Sequence, residues 1–506
     1  MPKKKTALTI EERLQQALVP AEEQPYEVPE NWVWVRLGNF IDLLRGVSYK
    51  KHDVHNEKME NDCLILRGGN IIEGGLDLNA DNVYVDKSLV SEAQLIRKND
   101  IIIVSSTGSV KVIGRAGLAF YDYNDVAFGA FLTLARPKNG CNKSFVDLFF
   151  QSFLYRQSIR ELASGVNINN IRSEYITNMT FPLPPLSEQQ RIVERIEELF
   201  AKLDEAKERL QEVADSFAVR KAAILHKAFT GELTKKHEIE DSIVIRDKLF
   251  AERENMVQDK VLKRVKIKPL IRDEYKLQLA KNWVQCKLGE VAFVTKLAGF
   301  EYTKYIHLED TGEIPVVRAQ NVRKGYLDTT NLLYISKSVS DALSRSALKE
   351  KSVLITFIGA GIGDACVFDE NQQYHLAPNV AKVEPFNKSE EKLNVYFVLY
   401  YLLSSFGQYE IFKNMKATAQ PSLSMETIRE IIIPLPSIEE QHEIVRLIDD
   451  LLARERAAQQ AAEQALASID LMKKSILARA FRGELGTNKA SEASALELLK
   501  QVLAEN

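Results

Sequence analysis

The 506-residue chain lacks most of the residue patterns on which catalysis or anchoring rests. Its four cysteines, Cys63, Cys141, Cys286 and Cys366, stand far apart, so neither zinc-ligand spacing nor a disulfide framework is present and a reducing, cytoplasmic setting is expected. Charge of one sign is not in excess: 67 Lys and Arg face 70 Asp and Glu, a formal −3. A protein that coats nucleic acid along its length would be strongly basic, so any such contact has to come from local patches. No apolar run reaches membrane length and no apolar leader opens the chain, which predicts no membrane partner. A phosphate loop ending in Gly-Lys-Ser/Thr is missing, and His442-Glu443 is followed by Arg446 where a zincin helix needs its second histidine. The run Gly359, Gly361, Gly363 leads into a strand-like Cys366 to Phe368 and not into a helix, which removes a nucleotide loop. No Asn/Asp-Pro-Pro-aromatic run is found either. The expectation is a chain with no catalytic residues, no metal site and no cofactor of its own.

What is present is a repeat. Pro182-Leu183-Pro184, Glu188-Gln189 and Ile192-Val193 recur 252 positions later as Pro434-Leu435-Pro436, Glu440-Gln441 and Ile444-Val445. Forty residues on, Phe229-Thr-Gly231-Glu232-Leu233 is answered by Phe481-Arg-Gly483-Glu484-Leu485 at the same offset, so nothing has been inserted or lost between. Between these marks Ile192, Ile196, Leu199, Leu203, Ala206, Leu210, Val213 and Phe217 alternate steps of four and three, the seam of a coiled coil. The copy offers Ile444, Ile448, Leu451, Ala458, Ala462, Ala465, Ile469 and Met472, interrupted by Glu455. Ser187 with Gln190 and Ser437 with Glu440 are candidate capping boxes, and Gly231 and Gly483 are stops. Each helix would be about 65 Å long at 1.5 Å per residue. From Glu188 to Lys227 eight basic residues balance nine acidic ones, so this helix is read as a spacer and not as a nucleic-acid track.

Ahead of each helix lies a domain that opens alike: Asn31-Trp32-Val33 with Leu37-Gly38, and Asn282-Trp283-Val284 with Leu288-Gly289. Short apolar runs separated by Gly, Asn and Asp (Leu64 to Leu66, Ile101 to Val104, Ala116 to Phe120, Phe131 to Leu134) read as strands. Val146 to Leu162 has helical spacing, and Gly165 to Asn170 reads as a loop. The second copy repeats the order with Val316-Val317, Val353 to Thr356, Cys366 to Phe368, a helix from Val395 to about Phe412 and a loop from Ala417 to Ser424. The predicted fold class is α+β: two mainly β domains separated by a pair of long antiparallel coiled-coil helices, with an internal pseudo-twofold repeat. The expected parts are an arm (1–28, with Lys3 to Lys5 and a short helix signalled by Thr9 and Glu12), a first domain (29–185), a helix (186–232), a charged, helical linker (233–280, including Lys260 to Lys268), a second domain (281–436), a second helix (437–485) and a tail helix (486–506).

The best functional patch is Arg45-Gly-Val-Ser48-Tyr49-Lys50-Lys51, a loop able to neutralise phosphates and still reach base edges. Its counterpart is Lys296, Gly299, Tyr302 and Lys304. Thr107, Ser109, Lys111 and Arg115 form a second patch in a strand connection. Arg67 with Asn70 is suited to guanine or adenine, but the recurrence of the pair as Arg318 and Asn321 suits scaffold or phosphate roles equally.

Two variable domains, each opened by Asn-Trp and Leu-Gly and closed by Pro-Leu-Pro, Glu-Gln and a long helix ending in Phe-x-Gly-Glu-Leu, resemble the specificity subunit of Type I restriction-modification systems over nearly the whole chain. Arg45 to Lys51, Thr107-Gly108, Phe128-Gly-Ala-Phe131 and Asn167-Ile-Asn-Asn-Ile171 are similar to one subgroup of its target-recognition domains, from which the second domain departs. The resemblance implies a non-catalytic subunit that binds double-stranded DNA. With one domain at each end of an antiparallel helix pair and different loops on each, the expected site is bipartite and asymmetric, one half read by each domain, with half-site centres roughly 10 bp apart. The resemblance also implies two methyltransferase and two restriction/translocase subunits as partners, which would hold the S-adenosylmethionine, ATP and Mg. The alternative left by the residues alone is a coiled-coil scaffold with two protein-binding β domains and no nucleic acid.

Overall fold

The computed structural model describes residues 9–505 apart from 110, 165–169, 235–238, 269, 271–279, 281–282, 387–392, 414 and 416–421. The Lys3 to Lys5 run, Asn282 and most of the two expected loops at 165–170 and 417–424 lie outside the described residues. The chain divides into two compact units, Met1–Gln211 with Glu463–Asn506, and Glu212–Ala462.

In the first unit the opening strand Val33–Arg36 pairs antiparallel with the closing strand Thr180–Leu183, in register Val33 to Leu183. Between them lie the small hairpin Ile71–Ile72 with Gly75–Leu76 and two larger sheets. One is antiparallel and runs Ile41–Arg45, Leu132–Pro137, Ile101–Val104, Ala116–Leu118; the other runs Tyr84–Asp86, Asp62–Leu66, Val126–Phe128, with the last two parallel. Ile101 to Val104 and Cys63 to Leu66 are buried on both faces, which explains their continuous apolar runs. The expected single helix from Val146 is two, Lys143–Gln151 and Phe153–Ser164. Ser152 divides them: its hydroxyl donates to the Phe149 carbonyl at 2.6 Å and accepts the Tyr155 N–H at 3.3 Å, closing one helix and starting the next.

The second unit repeats the plan. Val284–Lys287 pairs with Ile432–Leu435, and a sheet runs Ala292–Lys296, Val380–Pro385, Ser352–Thr356, Ala365–Phe368. A second sheet runs Leu333–Ile335, Ile314–Val317, Tyr374–Leu376, Ala347–Leu348. Ser404 divides Val395–Leu403 from Ser405–Phe412 as Ser152 does, 252 positions earlier, with its hydroxyl 2.6 Å from the Tyr401 carbonyl and 3.2 Å from the Gly407 N–H.

The second long helix is unbroken, Ile438–Phe481, but the first is not: Leu186–Asp215 and Phe217–Phe229 are separated at Ser216. The Ser216 hydroxyl donates to the Val213 carbonyl at 2.7 Å and also bonds Arg220, competing with the helical ladder. Helix pairing is antiparallel within each unit. In the first, Ile192 and Ile196 share a core with Leu477, Ala480 and Phe481, and Lys473 meets Asp204 at 2.6 Å. In the second, Leu225 and Phe229 share a core with Ile444, Ile448 and Leu452. Glu455, the break in the apolar seam, accepts from Arg220 at 2.8 Å. The expected seam fails at three positions: Val213 and Met472 are 43% and 47% exposed, and Ala458 is exposed too. Both helices stop as expected: Gly231 and Gly483 have φ of 77° and 74°, and the following N–H closes back on Lys227 and Arg479 at 3.0 and 2.9 Å.

The capping boxes differ from expectation. Ser437 does accept the Glu440 N–H at 3.3 Å, but Glu440 bonds the Thr234 hydroxyl at 2.7 Å. The first helix starts one residue before Ser187, with the Pro185 carbonyl accepting the Glu188 and Gln189 N–H groups at 2.9 and 3.0 Å. Buried Glu188 takes the Trp32 indole and the Asn488 amide, both at 2.8 Å, and so ties the domain opening to the tail. Gln189 and Gln441 do the same job twice, accepting the N–H of Asn142 and Asn394 at 2.9 Å each.

The arm and tail helices, Ile10–Ala17 and Ala495–Glu505, add Ala17, Ala495, Leu499, Val502 and Leu503 to the first unit's core. Thr9 and Glu12 form the expected capping box. In the linker Ile239–Gln258 is helical, as expected, and packs Ile245 and Leu249 into the second unit; residues 261–268, expected to be helical as well, are irregular.

Candidate nucleic-acid interface

Four chain segments of the first unit converge where strands end. After Arg45 the backbone passes so close to the next segment that a Cβ on Gly46 would lie 2.1 Å from the Gly129 carbonyl oxygen, so only glycine fits. Val47 N–H then donates to the Phe128 carbonyl at 2.7 Å, and Gly129 N–H to the Leu66 carbonyl at 2.9 Å. The Phe131 carbonyl accepts the Ser105 and Ser106 N–H groups at 3.1 and 3.0 Å and the Ser105 hydroxyl at 3.0 Å. These bonds frame a cleft of about 620 Å³ with Val47, Leu66, Val112 and Leu132 as apolar lining and a polar, aromatic remainder.

Of the candidate residues, the cleft gathers Ser48, Tyr49, Arg67, Thr107 and Arg115. The guanidinium of Arg115 donates to the Ile71 carbonyl at 3.1 Å, and that of Arg67 to Asp81 at 2.9 Å. Arg45, Lys50, Lys51, Ser109 and Lys111 are exposed but do not line it. The Lys50 N–H caps onto Asp53 at 2.7 Å and the Ser109 N–H onto the Thr107 hydroxyl at 3.3 Å. Asn70 is a correction. It is fully buried, its Oδ1 accepts the Arg67 N–H at 2.8 Å, and its Nδ2 donates to the Asp77 carbonyl at 2.9 Å and to that of Ala80. Asn321 is buried alike, 3.0 Å from the Arg318 N–H and 2.9 Å from the Asp328 carbonyl. With their amides spent internally, neither asparagine can read a base edge; both are scaffold. Sequence reasoning missed Asp81, and gave Phe131 no role of its own. The signal for Phe131 was an aromatic directly after Gly-Ala, and it is 71% exposed on the rim.

In the second unit the expected flexible loop is a short helix, Gly299–Tyr305. Glu301 stabilises it by accepting the Ala298 N–H at 3.0 Å and pairing with Arg345 at 2.8 Å, while Tyr302 packs against the core around Leu297 and Ile306. Lys296 lies 4.8 Å over the Phe357 ring and Lys304 5.0 Å over Tyr305. Arg318 donates to the Asn331 carbonyl at 2.7 Å, and Phe300 is 72% exposed. One scaffold thus carries two different faces. Among the described residues no cluster of three or more His, Cys, Asp or Glu is arranged for a metal, and no helix is long and apolar enough to cross a membrane. The four cysteines are buried and free, and burial pushes the thiols of Cys141 and Cys286 far up and that of Cys366 to about 12.

The Type I restriction modification DNA specificity domain model matches residues 29–215 and again 280–465, one match for each copy of domain and helix. The chain belongs to that family. Similar specificity subunits include those of the Type I restriction enzymes EcoKI of Escherichia coli strain K12 and StySPI of Salmonella potsdam. Each is 28% identical, over 490 and 488 residues, and each comparison covers 95% of this chain and 96% of the relative. The fold is similar to that of the HsdS subunit from Thermoanaerobacter tengcongensis, with a TM-score of 0.55 at 19% identity over 92% of this chain and all of that one. A chain from a structure concerned with assembly and conformational transition of the type I R-M system gives 0.58 at 18% identity, over 91% and 100%. The relatives are specificity subunits, and this chain is likewise a non-catalytic member of the family.

Proposed function

We propose that this specificity subunit reads a bipartite, asymmetric DNA site, the domain over 29–185 reading one half and that over 281–436 the other, with a run of unread bases between. It docks methyltransferase and restriction subunits that carry the S-adenosylmethionine, ATP and Mg chemistry. The observation that carries the reading is the repeated scaffold with different faces: a cleft with Tyr49, Arg67, Thr107, Arg115 and Phe131 in one unit, and a helix with Phe300, Tyr302 and Lys304 in the other. Arginines, hydroxyls and aromatics on loops held by buried bonds are the groups that reach base edges. Exposed Arg45, Lys50, Lys51, Ser109 and Lys111 supply contacts to phosphate, as does Lys296.

The test is sequencing of methylated DNA from cells expressing this chain with its methyltransferase, for the natural protein and for a variant with residues 48–51 and 107–111 exchanged. A two-part motif of which only one part changes is expected. A variant that alters both parts equally removes the one-domain, one-half assignment.

A further inference from the structure

Arg67 and Arg318 leave equivalent strands, and their backbones are fixed by equivalent buried asparagines, yet their guanidinium groups are held in different ways. In the first unit Asn70 closes the loop by bonding the Arg67 N–H at one end and the carbonyls of Asp77 and Ala80 at the other. That closure brings Asp81 to Arg67. Asp81 sits in the left-handed region, φ 49°, which aspartate tolerates better than most residues. Its Oδ1 accepts from Nη1 of Arg67 at 2.9 Å, with both side chains about half exposed and both lining the cleft beside Thr107, Arg115 and Phe131. In the second unit the corresponding loop ends on a neutral acceptor, the Asn331 carbonyl, at 2.7 Å from Arg318.

The two devices do different things. An arginine on a carbonyl keeps its full charge for a phosphate. One paired with a carboxylate is nearly neutral as a unit, so it contributes little to phosphate attraction, while its planar fork is pre-oriented and keeps further N–H donors for a second ligand. A neutralised, oriented fork suits a directional acceptor pair, and the O6 and N7 of guanine are that pair in the major groove.

We infer that Arg67, positioned by Asp81, reads a guanine in the half-site of the first domain. The inference rests on the DNA-reading function proposed above. Its test uses the full chain with its methyltransferase, in methylated-motif sequencing and in salt-dependent binding to cognate and unrelated duplexes. Arg67→Ala and Arg67→Lys should each lose about 10- to 100-fold discrimination at one guanine of one half-site, with the other half unchanged. The slope of binding against salt should stay nearly constant in Arg67→Ala. Asp81→Asn should relax the same position while binding unrelated DNA more tightly, since it frees a positive charge. An unchanged motif with uniformly weaker binding and a shallower slope in Arg67→Ala would make Arg67 a phosphate contact and overturn the inference. A natural complex that methylates no specific sequence would instead overturn the proposed function.

Discussion

The two units agree where side chains meet side chains and differ where they meet solvent. Asn142 and Asn394 cap equivalent helices and hand their N–H groups to Gln189 and Gln441; Ser152 and Ser404 divide the same helix pair; Phe229 and Phe481 fill the same aromatic nests. Against this, Tyr49 and Lys50 lie in irregular chain that leads into the single turn Lys51–Asp53, and their counterpart is the longer helix Gly299–Tyr305. Interior differences also exist. Glu188 gathers Trp32, Thr487 and Asn488, whereas Glu440 bonds Thr234. Asp147 is buried where the second unit has buried Leu399. A duplicated scaffold keeps the contacts whose loss costs kcal/mol and lets the remainder drift toward separate ligands.

The largest effects are expected at the matched aromatic pair. Phe481→Ala and Phe229→Ala should each destabilise by about 3–5 kcal/mol, Phe481→Ala lowering protection in the first unit and Phe229→Ala in the second when hydrogen exchange is followed by peptide. A large asymmetry between the two would break the equivalence of the nests. Next comes Asp147, whose carboxyl burial pushes from its ordinary range to about 7, offset in part by the Gln151 amide at 2.7 Å. Its pKa is higher folded than unfolded, so the folded state loses stability as pH rises from about 4 to 7 and recovers none above. Asp147→Leu, the residue type of the second unit, should therefore stabilise at pH 8 by on the order of 2–3 kcal/mol and much less at pH 4. Equal denaturation midpoints for variant and natural protein at pH 8 would contradict the desolvation argument.

Smaller still, Glu188→Ala leaves the Trp32 and Asn488 donors buried without their acceptor and should cost about 1–3 kcal/mol. Glu440→Ala should cost less, because its bond goes to a half-buried hydroxyl; denaturant titration of both variants decides. Smallest in free energy are the rim aromatics: Phe131→Ala should change preference only in the half-site of the first domain and Phe300→Ala only in that of the second, each by about tenfold. Methylated-motif sequencing showing that either variant affects both halves would undo the separation of the two faces.

Much of the molecule was legible in the letters. The constant offset of 252, the helix stops at Gly231 and Gly483, the seam residues Ile192, Ile196, Ile444 and Ile448, and the capping box at Thr9 all follow from local geometry that one chain segment dictates by itself. The breaks at Ser152, Ser216 and Ser404 were missed because periodicity continues across a one-residue interruption, and only the hydroxyl's choice between helical ladder and carbonyl reveals it.

The letters alone dictate the repeat, the helix phase and the strand positions, because each rests on local spacing. Which polar groups face outward is settled only by packing between segments. Asn70 and Arg67 are three positions apart and equally plausible as base readers, yet one is buried by bonds to carbonyls at positions 77 and 80 and the other is paired across the loop with Asp81. Burial of an amide is settled by the backbone groups that close around it, and those arrive from residues whose nearness no local pattern encodes.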